Sequence, residues 1–219
     1  MKHDILKIGY EAEQLVNALI DSTRFDLFMR GEISYREWMD VYARGNFPDW
    51  IGRSDGATRF VFWDKDSCDY VFKVDRLEDE HYCADEAKVY YYADCFGYSK
   101  YFAWCAPVYT YTWDDENGAG HFVIYAMEFC DVDEDRVTSE VSEYLDADYD
   151  IDDGEIFEYA RGQWGTVAYE VESFLSSIGV YDFHSGNWGW RGGYDFVITD
   201  YVGFDGAVDF TEAARRLSS

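Results

Sequence analysis

Three side chains suited to phosphate and metal chemistry lie in VYDFHSGNWGWRGGYDFVITDYVG, which runs from Val180 to Gly203: Asp182, Asn187 and Asp200. Asn and Asp oxygens are hard ligands that suit Mg²⁺, a cation that keeps several waters and takes one or two carboxylates alongside substrate phosphates. Two short β-prone runs flank an Arg-Gly-Gly turn between Asn187 and Asp200. A hairpin is therefore expected to carry these two residues back to nearly the same place. Asp182, just upstream, is placed to accept a proton from an attacking hydroxyl.

A second pair lies earlier in the chain. Lys73 interrupts the apolar run VFKV, and Glu86 follows in the helical-looking ADEAKVYYYA. A lysine on a strand and a glutamate on the next helix can pair across a small gap and fix the ammonium group. A solvent-facing lysine is the bland alternative, and a surface pair contributes little to stability.

The elements that must position these groups follow from periodicity. Residues 5–29 place Ile5, Ile8, Ala12, Leu15, Val16, Leu19 and Ile20 on one helical face, and Ser34 with Glu37 marks the start of another helix ending near Gly45. These helices either cover the following sheet or dock a partner. From Asp49 the period becomes two: Trp50-Ile51 enters GRSDGAT, then RFVFW and DYVFKV flank the turn DKDS. Two further strands, Pro107 to Trp113 and His121 to Met127, join near Asn117-Gly118. Val167, Val171, Phe174, Leu175 and Ile178 form an amphipathic helix that ends near Gly179 and delivers the chain to Asp182.

In order and local structure, Lys73, Glu86, Asp182-x4-Asn187 and Asp200 resemble the protein-kinase-like superfamily, in a compact, atypical form similar to small bacteriophage-encoded kinase-like proteins. The resemblance implies an α+β, two-lobed fold with a five-stranded antiparallel N-lobe sheet and a truncated, mainly helical C-lobe. Residues 1–46 would then be a helical extension, 47–130 the N-lobe, and 131–219 the acidic C-lobe. It implies Asp182 as catalytic base, Asn187 as a metal ligand and Asp200 as the principal Mg²⁺ ligand, with Lys73, held by Glu86, meeting the ATP phosphates. Gly52 and Gly56 would cover those phosphates, or form an ordinary surface turn. Met127 would back the adenine pocket, or simply fill the core, and Glu128 would begin the linker whose backbone holds the adenine edge. His184 would contact the terminal phosphate, or make a structural hydrogen bond within its loop.

The sequence departs from the family pattern in several places. Two glycines stand where the fuller motif has three, Val180-Tyr181 replaces His-Arg before the catalytic Asp, and His184 replaces Lys. Gly203 follows Asp200 by one residue more than usual, and the short stretch after it is expected to leave no room for a long activation segment or peptide-docking helices.

Composition bounds the function classes. The chain has 219 residues, 48% hydrophobic and 20% aromatic, enough for a packed core in one domain or two small lobes sharing a cleft. No run approaches a membrane span and the N-terminus carries acids, so a cytoplasmic protein without membrane contact is expected, in the host cytoplasm if phage-encoded. Cys68, Cys83, Cys95, Cys105 and Cys130 are scattered without a CxxC pair, pointing to reduced thiols. A zinc site from His81, Cys83, Cys95 and Cys105 lacks the usual spacing. A net charge of −27 disfavours direct binding to nucleic acid and favours a basic protein partner or substrate. Residues 131–158 are dense in acids, with Arg136 the one base. They form a solvated face or a polyanion-like surface; a calcium loop at Asp148, Asp150 and Asp152 lacks its final carboxylate.

Two functions are expected from this sequence. One is a kinase that binds Mg-ATP and transfers phosphate to a hydroxyl on a protein. The other is a non-catalytic, DNA-mimic-like inhibitor, whose acidic surface occupies a basic, nucleic-acid-binding host defence protein.

Overall fold

The alternating apolar runs from Trp50 onward build an antiparallel sheet, and the helical periods on either side build the rest of an α+β fold. The computed structural model describes residues 3–43, 46–47, 49–53, 58–66, 69–76, 80–115, 118–146, 151–181, 183–202 and 208–218. The chain divides into two compact units: Met1–Ala87 with Cys105–Phe129, and Lys88–Trp104 with Cys130–Ser219. By this division residues 1–46 lie with the sheet, and 88–104 lie with the later helices. No helix among the described residues is long and apolar enough to cross a membrane.

In the first unit, helices α1 (Ile5–Ile20), α2 (Thr23–Met29) and α3 (Tyr35–Ala43) precede strands β1 (Asn46–Phe47), β2 (Trp50–Arg53), β3 (Arg59–Asp64) and β4 (Tyr70–Asp75). Helix α4 (Tyr82–Cys95) begins in this unit, and β5 (Cys105–Asp115) and β6 (Gly118–Glu128) complete it. The sheet has six strands in the order β1-β2-β3-β4-β6-β5, all pairs antiparallel; β1 has only two residues, leaving the five long strands expected. The single helix expected over 5–29 is instead two. Ser22 breaks it, because its hydroxyl accepts a hydrogen bond from the Phe25 amide and so caps a new helix. Ser34 and Glu37 form the reciprocal capping interaction expected of them, with Glu37 accepting from the Ser34 amide at 2.8 Å and Ser34 from the Glu37 amide at 3.2 Å.

Strand register divides the sheet into two faces. Gly52, Phe62, Phe72 and Ala126 stand in line across β2, β3, β4 and β6, whereas Val61, Lys73 and Tyr125 occupy the next rank and face the other way. Helix α3 packs on β2 and β3, and α1 on β5 and β6. Trp38 of α3 is fully buried against Phe25, Phe28 and Phe122, and its indole N–H donates to the Leu19 carbonyl. The N-terminal helices therefore cover the sheet.

The second unit holds α5 (Glu134–Leu145), α6 (Asp153–Trp164), α7 (Val167–Ser177), a hairpin of β7 (Trp188–Arg191) and β8 (Asp195–Ile198), and α8 (Thr211–Leu217). The acidic run is thus largely helical. Asp133 caps α5, and Asp152 with Glu155 forms a capping box on α6, so several acids serve the ends of helices. Val137, Val141, Ile156, Phe157 and Ala160 turn inward, while Asp133, Glu134, Asp135, Glu143 and Glu158 are exposed. Asp148 and Asp150 of the candidate calcium loop lie outside the described residues.

Candidate functional site

Helix α4 is set on β4 by two contacts from one face of the strand. Asp75 accepts a hydrogen bond from the Cys83 amide at 2.9 Å, closing the first turn of α4. Two residues back, Lys73 Nζ lies 3.1 and 3.2 Å from the two carboxylate oxygens of Glu86. Lys73 is 7% exposed and Glu86 0%. The pair expected from the sequence is therefore a buried one. Arg59 of β3, whose register partner is Asp75, joins it: its guanidinium is 3.4 Å from Glu86. Arg59 was not singled out from the sequence; its only signal is a cation opening the otherwise apolar run RFVFW.

Burial raises the Asp75 carboxyl above its ordinary range, against the opposing pull of the Cys83 amide and Arg59. Burial, reinforced by Asp75, likewise pushes the Cys83 thiol well up, so this cysteine stays protonated and unreactive. Cys83, Cys95, Cys105 and Cys130 are not joined in disulfides, and Cys68 lies outside the described residues.

The other sheet residues divide by face. Met127 lies on the Lys73 face, buried between register partners Val71 and Cys105. Glu128 pairs with Tyr70 at the end of β6 and is buried. Gly52 lies on the opposite face, where a Cβ would meet the Tyr42 carbonyl oxygen at 2.1 Å. The close packing of α3 thus supplies a structural reason for glycine there. Gly56 lies outside the described residues.

In the second unit, α7 ends in a Schellman arrangement. Gly179 has φ 83°, its amide donates to the Ser176 carbonyl, and the Val180 amide donates to the Leu175 carbonyl. Asp182 lies outside the described residues. Phe183 is buried, and its amide donates to Asp153 Oδ2 at 3.0 Å, a role for an acid of the charge run that sequence reasoning missed. His184 Nδ1 accepts from the Gly186 amide at 3.1 Å, the structural loop bond that was one of its two expected roles.

The hairpin does what its sequence foretells. Gly192 and Gly193 take φ of 59° and 82°, a turn that residues with a Cβ enter only with strain, and Trp188 pairs with Ile198. One residue beyond that pair, the Asn187 carbonyl accepts from the Thr199 amide at 2.8 Å and the Asp200 amide at 3.3 Å. Asn187 and Asp200 are thereby joined through their backbones. Asn187 is 6% exposed and Asp200 half-buried. Trp188 stacks on Phe196 with ring centroids 5.0 Å apart, and its indole N–H donates to the Phe183 carbonyl, tying the hairpin to the loop before it.

Among the described residues, no group of three or more His, Cys, Asp and Glu is placed to hold a metal ion. Asn187 with Asp200 is a smaller set, one amide and one carboxylate. That donor chemistry fits Mg²⁺, whose remaining positions go to water and phosphate oxygens. No family model and no curated protein matches the chain.

Proposed function

We propose that this chain is a kinase-like phosphotransferase that uses Mg-ATP and transfers phosphate to a hydroxyl, on a basic protein substrate. The observation that carries the reading is the buried Lys73–Glu86 pair. Taking two charges out of water is costly, and an apolar pair of similar volume often serves stability as well or better. A lysine held in this way is suited to a task that needs a fixed cation, and here the task is meeting the phosphates of ATP.

In this reading Asp182 orients the substrate hydroxyl and takes its proton as the new oxygen–phosphorus bond forms and the bridging bond to ADP breaks. Asn187 and Asp200 would hold Mg²⁺, which when bound would neutralise charge on the phosphate oxygens. Trp188 and Asp153 keep the loop and hairpin in place. The test is transfer of labelled γ-phosphate to basic proteins: it should occur with wild type and fall by at least about a hundredfold in Asp182→Ala and Asp200→Asn. Transfer that persists in both variants would remove the assignment.

A second reading rests on the net charge of −27 and the exposed acids on and before α5. It makes the protein a non-catalytic, DNA-mimic-like inhibitor of a basic, nucleic-acid-binding host defence protein. Such a complex should weaken steeply with salt yet survive loss of Asp182 and Asp200. A complex indifferent to salt would rule this reading out.

A further inference from the structure

Strands β4 and β6 pair only from Tyr70↔Glu128 to Lys73↔Tyr125. Beyond that point β4 continues along β3 to Asp75, while β6 continues along β5 to Gly118. A cavity of about 150 Å³ opens at this divergence, lined by Asp75, Glu80, His81, His121, Tyr35 and Tyr125 among others. Its size is about that of a cavity that admits benzene.

Its walls are of two kinds. Tyr35, Phe122 and Tyr125 supply aromatic surface, with Val74 and Ala84, while Asp75 and Glu80 supply carboxylates beside two imidazoles. Among the described residues no group of three or more His, Cys, Asp and Glu is placed to hold a metal ion, so these side chains do not form a metal site. Among the described lining residues Asp75 and Glu80 are the acids, and none is Lys or Arg. Aromatic faces together with carboxylates recognise organic cations.

We propose that this cavity is a binding site for a small organic cation, an alkylammonium or guanidinium compound, separate from the phosphotransfer residues. The cation head meets Asp75 and Glu80, and its carbon stem lies against Tyr35, Phe122 and Tyr125. Burial raises the Asp75 carboxyl, and a bound cation beside it adds to the downward pull that the Cys83 amide and Arg59 already exert. Since Asp75 also receives the Cys83 amide, occupancy bears directly on the first turn of α4, the helix that carries Glu86.

The test is titration of the full chain with putrescine, followed by the imidazole signals of His81 and His121 and the amide signal of Cys83. All three should move together and saturate, whereas butanol should leave them in place. A chain this acidic attracts any polycation, so the variants must separate site from surface. Ala84→Leu fills the cavity without changing charge and should abolish the saturable response; Glu80→Gln should weaken it by about tenfold. Near-UV circular dichroism establishes that each variant is folded, and if Ala84→Leu is not, Glu80→Gln decides. Absence of saturation, an equal response to butanol, or binding unchanged in the folded variants would overturn the proposal.

Discussion

Lys73 and Arg59 share one buried carboxylate: Glu86 Oε1 lies 3.1 Å from the Lys73 ammonium and 3.4 Å from the Arg59 guanidinium. Glu86 has no exposed surface, so its charge is held by these partners instead of by water. The two sides of this arrangement are not equivalent, and their removal should not cost the same.

Glu86→Ala removes the carboxylate that the two buried cations share and should destabilise the protein by about 3–5 kcal/mol. Lys73→Met keeps the lysine's bulk and leaves Arg59 beside Glu86, so its cost should be smaller. Urea unfolding followed by circular dichroism checks the order. A Lys73→Met variant as unstable as Glu86→Ala would contradict the shared arrangement.

Gly52 separates packing from ligand contact. Its missing Cβ would lie 2.1 Å from the Tyr42 carbonyl oxygen and 2.7 Å from Ala43 Cα, both backbone atoms. Gly52→Ala should therefore cost about 1–3 kcal/mol of stability with no nucleotide present. A variant as stable as wild type, altered only in its affinity for ATP, would instead give this glycine to the phosphates.

Much of the arrangement can be read from sequence because its parts are close along the chain. Lys73 and Glu86 sit on consecutive elements, and the two-glycine turn fixes the hairpin that joins Asn187 to Asp200. Gly52 was different: its neighbour α3 precedes it in sequence, but nothing in GRSDGAT says that a helix backbone lies on that face. Arg59 reaches Glu86 only because β3 and β4 lie side by side in a register that spacing does not print. Helices α5 and α6 were hidden for another reason. Their acids outnumber the apolar residues that mark the inward face, so the helical period of Val137, Val141, Ile156 and Ala160 was masked by charge.

Glu140 should give α5 an acid-sensitive anchor. Burial pushes its carboxyl up, but the Tyr159 hydroxyl at 2.7 Å and the Arg136 guanidinium at 2.8 Å outweigh this and hold it below its ordinary 4.5. Arg136 in turn lies 3.7 Å over the Trp190 ring of β7. A depressed folded-state value means that this contribution is complete above 4.5 and is lost as pH falls through the lowered value. Thermal unfolding from pH 7 to pH 3 should show a steeper loss below about pH 4.5 in wild type than in Glu140→Gln. Parallel curves would contradict the anchoring role.

Whether the buried lysine and the Asn187–Asp200 pair serve a nucleotide is tested most directly by thermal unfolding with and without Mg-ATP. A ligand at one hundred times its Kd adds about 2.7 kcal/mol of apparent stability when it binds only the folded state. Wild type should show a clear rise in Tm with millimolar Mg-ATP, little rise when the metal is chelated, and the rise should disappear in Asp200→Asn and Lys73→Met. An unchanged Tm in wild type at millimolar Mg-ATP would contradict the kinase-like reading.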